Sequence, residues 1–440
     1  MLTRRHLLAL GGGLAGLATA AAARAGADHG LVPGARFDQT AALAACLERA
    51  AARGEPAVLP GGDYRISTLD LPDGTDLSGL AGRTRLVAVG DGPLLRARGA
   101  ARITLAGLTL DGGGRPLDPS AAGLLDCVDV ADLSLRDCRV QGSSRHGVSL
   151  DRCGGRVEAC VLQSAGAAGL FALDSRGLAI AGNRVGDCGN GGILVHRSKI
   201  GPDGTLVEGN RILRIAARDG GTGENGNGIN VFRAGNVIVS GNHVSDCAFS
   251  AVRVNSGSGA MIRGNQCLSS GETAIYAEFA FEGAIVSDNL VDGAANGILV
   301  VNLDVGGRLA TVSGNIVRNL RLDGPYVHDG AGFGFGIAAE ADTAIAGNVV
   351  ENAPTYGLML GWGPYMRAVS ATGNIVRDAA VGCAVTVVEG AGSALVADNL
   401  FEACREAAIA GYRWNARTAG ELIAGAPDFP HLTITGNRRS

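Results

Sequence analysis

The stretch AGNRVGDCGNGGILVH, Ala181 to His196, contains a Gly-Asn pair that returns down the chain. It reappears in VEGNRI, VSGNHV, IRGNQC, VSGNIV, IAGNVV, ATGNIV and ITGNRR, and with Asp in place of Gly in VSDNLV and VADNLF. The ten asparagines are Asn183, Asn210, Asn242, Asn265, Asn289, Asn315, Asn348, Asn374, Asn399 and Asn437, most of them 23 to 33 residues apart. A period of that length belongs to a repeat architecture rather than to separate globular domains. Each Asn follows a short alternating run, as in NVIVSGN, and is followed by a second: GILVH, GINVF, AVRVN, AIYAE, GILVV, GIAAE, GLMLG. The offset is 10 from Asn183 to Ile193, from Asn242 to Val252, from Asn265 to Ile275 and from Asn348 to Leu358.

A unit of two or three short strands without a long helix cannot bury its own apolar face, so it must stack on a copy of itself. Parallel strands stacked about 4.8 Å apart make a parallel β-helix, and the crossover rule makes it right-handed. A leucine-rich repeat would need an LxxLxLxxN frame, and a propeller four strands per roughly 40 residues; neither pattern is present. The expected fold is an all-β, single-stranded right-handed parallel β-helix with an N-terminal capping helix. Within it the repeated Asn has a structural task. Its amide can donate to one neighbouring coil and accept from the other, and the preceding Gly, present in eight of the ten, allows a positive φ at the corner. Cys138 and Cys160 stand at the same register in two earlier coils, close enough for a disulfide, although burial as thiols is the expectation.

Composition agrees with many short strands and tight turns, since Gly is 70 of 440 residues and aromatic residues are 4%. Lys199 is the only lysine among 38 basic residues, a bias that gives Arg abundance no functional weight. The formal charge of −4 provides no bulk attraction to nucleic acid or anionic lipid. No segment after the N-terminus is apolar for long enough to span a membrane.

The first residues, MLTRRHLLALGGGLAGLATAAAARAG, combine a basic start, a short apolar run and small residues before a cut near Ala25. Arg4 and Arg5 followed by His6, Leu7 and Leu8 resemble the twin-arginine export signal. The resemblance implies passage in the folded state through the twin-arginine translocase into the periplasm. Loss of residues 1–25 removes three Arg and no acid, taking the charge from −4 to −7. Next comes FDQTAALAACLERAAARGE, with apolar residues at helical spacing, and then the strand of PAVLPGGDYRI. That D-x-T helix followed by VLPxGxYRI resembles the N-terminal cap of the pectin-lyase-like superfamily of carbohydrate-active β-helices. Together with the signal, the short GN coils resemble a bacterial family of twin-arginine-translocated repeat proteins, which implies export and fold but no particular activity. The expected organisation is a signal at 1–25, a capping helix region at 26–56 and a β-helix at 57–440, with an irregular cover near 412–431.

In the second strand of each coil, alternation directs Ile193 and Val195 inward, Leu194 and His196 outward. Carried through the stack, this forms two outward columns that bring Asn230, Phe232, Arg253, Asn255, Tyr276 and Glu278 together. An aromatic platform among amide, guanidinium and carboxylate groups suits a carbohydrate. Two coils also break the offset of ten, with 19 residues from Asn210 to Ile229 and 22 from Asn315 to Ile337. Their insertions, IAARDGGTGENGNG and NLRLDGPYVHDGAGFG, leave from one corner four coils apart, as two walls of a groove floored by the Arg253–Glu278 patch. Longer loops on one edge of a solenoid commonly carry function.

The titrating candidates are Glu278, Glu340, Asp219, Glu224, Asp323, His328 and Asp329. Glu278 and Glu340 share a column two coils apart, roughly 9.6 Å between strands, near the upper end of the inverting-hydrolase separation. In a lyase or epimerase, Arg253 would hold a uronate carboxylate and His328 or Tyr276 would move the α-proton. Catalysis is therefore expected of Glu278, Glu340, His328, Arg253 and Tyr276, and substrate binding of Asn230, Phe232, Asn255, Asp219, Glu224 and Asp329. No cofactor or metal is expected. GTGENG, Gly221 to Gly226, has nucleotide-loop spacing but precedes a strand rather than a helix, and DGGTGENGN lacks an EF-hand frame. SRHGVSL, with His146, lacks the companion NTD and DD motifs of polygalacturonases. The YG-DPH signature of alginate epimerases and the WIDH of pectate lyases are missing. Two functions remain: binding of an oligo- or polysaccharide with its cleavage or epimerisation, or a non-catalytic periplasmic scaffold that uses the same face for glycan or envelope contact.

Overall fold

The computed structural model describes residues 30–327, 330 and 332–440. The signal at 1–25 and the candidates His328 and Asp329 lie outside the described residues. The fold is an all-β right-handed parallel β-helix with one short helix near its start. The chain falls into two compact units, one ending at Arg184 and one from Val185 to Ser440.

In the first unit a helix, Thr40–Arg53, buries Leu43, Cys46 and Leu47. Asp38 accepts from the Thr40 backbone N–H at 2.8 Å and from Ser67 Oγ at 2.6 Å, which ties the helix start to the first coil. Gly54 ends the helix at φ +64°, and its N–H reaches back to Ala50 and Ala51 carbonyls, the left-handed stop that glycine permits without steric penalty. Parallel coils follow, with Leu77, Leu105 and Leu135 stacked inward in register. Cys138 and Cys160 precede the paired residues Arg139 and Val161 on neighbouring strands. All ten cysteines are buried thiols outside any disulfide.

The second unit repeats three strands per coil. Ile238–Ser240, His243–Cys247 and Val252–Asn255 pair in parallel with Ala260–Arg263, Gln266–Leu268 and Thr273–Glu278. The inward column reads Ile229, Val252, Ile275, Ile298, Ile337, Leu358, Cys383 and Ile409, every member fully buried. Burial of one such aliphatic side chain contributes about 1.5–3 kcal/mol, and only a neighbouring coil supplies the contact. Stacking is therefore the source of stability, as the sequence period requires.

The asparagines form the expected ladder from Asn210 to Asn437. In each step one Asn donates its backbone N–H and its Nδ2 to the Oδ1 of the next. For Asn265 to Asn289 these bonds are 2.9 and 3.0 Å, and the second Nδ2 hydrogen goes to Val239 O at 3.0 Å. The preceding residue is left-handed throughout, at φ +62° for Gly264 and +57° for Asp288. A second left-handed corner lies four residues after the ladder Asn, at Asp246, Ser269, Asn319, Asn352, Asp378 and Ala403. It carries no glycine signature at these positions, and the sequence did not disclose it. The segment expected to break the period near the C-terminus opens as an antiparallel hairpin, Ala407–Arg413 with Ala416–Glu421. At its tip Trp414 meets Trp362 edge-on, with centroids 5.5 Å apart.

Candidate functional site

Strand register assembles the two outward columns. Asn230 pairs with Arg253 and Arg253 with Tyr276, while Phe232 pairs with Asn255 and Asn255 with Glu278. Six of the candidates thus share three adjacent coils. Arg253 is the centre. Its Nε donates to Glu278 Oε1 at 2.6 Å and its Nη2 to Glu278 Oε2 at 2.9 Å, a bidentate fork that matches guanidinium to carboxylate. Asn255 Nδ2 adds a bond to Glu278 Oε1 at 2.9 Å, and the guanidinium carbon stands 5.1 Å from the Tyr276 ring centre.

The patch expected as an open groove floor is buried, with Arg253 8% and Glu278 2% exposed. The first insertion covers it. Asp219 is exposed and anchors that loop to Asn190, accepting from its Nδ2 at 2.7 Å while the Asp219 N–H donates to Asn190 Oδ1 at 3.0 Å. Asn227 Nδ2 reaches Gly223 O at 2.8 Å. Gly223 then lies directly on the guanidinium: at φ +134°, a Cβ there would stand 1.5 Å from Arg253 Nη1. The nucleotide-like spacing of GTGENG is the requirement of this close approach, since glycine alone lets backbone meet a side chain so tightly. Glu224 on the same loop is exposed. The Glu224 and Thr222 backbone N–H groups hold its carboxyl below the usual range, with a smaller contribution from Arg253.

The second insertion reaches the same cluster through Glu272, which the sequence reading missed. Glu272 is 1% exposed. Its Oε2 accepts from Arg253 Nη1 at 3.3 Å and its Oε1 from the Tyr326 hydroxyl at 2.7 Å. Tyr326 stacks on Phe249, with centroids 6.3 Å apart, and a Cβ on Gly226 of the first loop would meet that same Phe249 ring at 2.8 Å. The two insertions therefore converge on one cluster instead of standing apart as walls. Burial pushes the Glu272 carboxyl up against the pull of Arg253. Burial also opposes the Arg253 charge, but Glu278 and Glu272 together outweigh it, and the guanidinium is held above its ordinary value. The available signal was compositional: Glu272 is an acid at the register where neighbouring coils carry Phe249 and Ala295.

A cavity of about 340 Å³ opens beside the cluster, lined by Asn230, Phe232, Asn255, Arg253, His196 and the Thr222–Glu224 segment, with Phe279 at its edge. Phe232 lies against His196, with centroids 5.5 Å apart, and Arg233 covers it at 4.5 Å. Asn230 is 5% exposed, and its Oδ1 is buried without a hydrogen-bond partner. Phe279 is 42% exposed at φ +58°, and its backbone N–H bonds Asn302 Oδ1 at 3.1 Å. A bulky residue in that conformation is uncommon and strained. It turns the ring out at the pocket, where strand alternation alone does not place it.

Glu340 lies two strand registers from Glu278, since Ala277 pairs with Val300 and Val300 with Ala339. It does not line the cavity. Its Oε2 accepts from the Leu303 N–H at 2.7 Å, capping the short helix Leu303–Val305. Burial raises its carboxyl to about 7 against these backbone hydrogen bonds. Tyr276 is likewise pushed up by burial, then by Glu278 and Glu272. Asp323 is largely exposed, 4.0 Å from Arg321. Among the described residues no group of three or more His, Cys, Asp or Glu is arranged to hold a metal ion.

Residues 146–305 match the family described as a right handed beta helix region. No curated protein matches the sequence. Among solved structures, the A-module of the Azotobacter vinelandii mannuronan C-5 epimerase AlgE6 is similar, with a TM-score of 0.52 and 16% identity over 94% of this chain and 98% of that one. The pre-mature gene product 12 of bacteriophage phi29 gives a TM-score of 0.54 and 14% identity over 86% of this chain. The chain spans 62% of that phage protein's length. At these identities the likeness is one of fold.

Proposed function

We propose that this is an exported protein that binds an oligo- or polysaccharide in the cavity over the coils of Asn230, Arg253 and Tyr276. The observation that carries the reading is a cavity of about 340 Å³ that joins the rings of Phe232 and Phe279 to the side chains of His196, Asn230 and Asn255. The C–H face of a sugar ring packs on aromatic carbon, and its hydroxyls hydrogen-bond the amide and imidazole groups of the lining. A cavity of that size lies within the range of small-ligand sites. Sharing a fold with a mannuronan C-5 epimerase module is compatible with polysaccharide as ligand, and the assignment rests on the cavity. Export follows from the twin-arginine resemblance of residues 1–25.

The geometry favours binding over turnover. Glu278 is engaged by Arg253 through both oxygens and by Asn255 through one, which leaves it poorly placed to take a substrate proton. Screening residues 26–440 against immobilised neutral, amino and uronic glycans tests the reading, with reducing ends and absorbance of unsaturated products followed in parallel. Retention of at least one glycan, lost in Phe232→Ala and Phe279→Ala, is expected. Retention of none, or retention unchanged in both variants, refutes it. Product formation would instead support the hydrolase, lyase or epimerase reading.

A further inference from the structure

We infer that the cavity selects sugars that carry no negative charge and rejects uronates. This deepens the glycan reading and rests on it. A uronate carboxylate brings only acceptors and a charge, so it needs a cation with donors to spare. Among the described residues Arg253 is the one permanent cation lining the cavity. Three of its five N–H donors, on Nε, Nη1 and Nη2, are already directed to Glu278 and Glu272, and Gly223 covers the guanidinium. Two carboxylates therefore share this one buried cation, and Glu224 adds a third carboxylate on the lining itself. Arg233 is the other nearby cation, but it lies over Phe232, is exposed, and donates to Ser198 O at 3.0 Å, so solvent screens it.

The other polar lining residues, His196, Thr222, Asn230 and Asn255, add no permanent charge. Asn230 Oδ1 is sealed from solvent, so the fixed charge around the lining does the selecting. A carboxylate would enter a site where Glu278, Glu272 and Glu224 outnumber Arg253, and that charge discriminates against it. Neutral and amino sugars escape that repulsion.

The test titrates residues 26–440 with neutral glucan oligomers, chitosan oligomers and oligogalacturonate at low salt, in the parent and in Glu224→Gln. Glu224 lies on an exposed loop, so the substitution leaves the core intact. The neutral or the amino probe is expected to bind at least tenfold more tightly than the uronate, with the gap narrowed in Glu224→Gln. Uronate binding equal to or tighter than both others overturns the charge inference and leaves the glycan reading standing. Binding of no probe overturns the glycan reading and this inference with it.

Discussion

Arg253 and Glu278 face each other from adjacent strands through two hydrogen bonds, of 2.6 and 2.9 Å, and both are almost fully buried. A buried pair of this kind adds little net stability over an apolar pair, yet loss of one partner leaves a charge with no compensation. Arg253→Met strands Glu278 and Glu272 together, so a loss of about 3–5 kcal/mol is expected. Arg253→Met combined with Glu278→Gln should recover a large part of it. Denaturant unfolding of the two variants decides the matter, and equal stability in both would show that the pair is not coupled.

Interior and terminal rungs of the asparagine ladder should differ. Asn289→Ala removes the acceptor for the Asn265 N–H and Nδ2 and the donors to Ile262 O and Asn315 Oδ1. Buried groups left unsatisfied cost about 1–3 kcal/mol each before relaxation, and a total near 3–5 kcal/mol is expected. Asn437→Ala, at the partly buried end, should cost about 1 kcal/mol. Thermal unfolding of both variants orders them, and equal shifts would contradict a ladder that works by burial.

Gly223→Ala tests the lid on Arg253. Its Cβ would overlap the guanidinium, and the loop has to lift because Arg253 is fixed by two carboxylates. Glycan retention should fall by about tenfold or more, equivalent to about 1.4 kcal/mol, with little change in melting temperature, since the loop contributes little to the core. Unchanged retention would detach the loop from the binding site.

Glu340 should make stability depend on pH. Burial raises its folded-state value to about 7 from an ordinary 4.5, so the folded protein favours the protonated form. The associated stability is fully present below about pH 4.5 and is lost as pH rises through about 7. Glu340→Gln keeps the acceptor for the Leu303 N–H and removes the titration. The variant should be more stable than the parent above pH 7, on the order of 2–3 kcal/mol. Parallel stability curves from pH 4 to 8 would exclude this role.

The sequence supplied the columns. Alternation and a fixed offset from each Asn were enough to place Asn230, Phe232, Arg253, Asn255, Tyr276 and Glu278 side by side, because register in a stacked coil repeats the pattern of the coil before it. The offset also exposed the two long insertions. It did not show that both fold onto one point, nor that Arg253 is already satisfied. Glu272 escaped notice because its partners, Arg253 and Tyr326, lie 19 and 54 residues away along no periodic path. Phe279 escaped because a left-handed residue at the end of a strand turns its side chain out of the alternation.

The amino-acid sequence by itself thus determined the solenoid: its period, its Gly-Asn corner, its ladder and the identity of the inward columns. These follow from local rules, the alternation of a strand and the spacing of stacked coils, which hold for every repeat alike. Tertiary structure alone decided the character of the site, by laying Gly223 on Arg253, bringing Tyr326 to Glu272 and leaving Asn230 without a donor. Those contacts arise where two loops leave the repeat, so each depends on how a single segment folds back over its neighbours, and no period in the sequence records it.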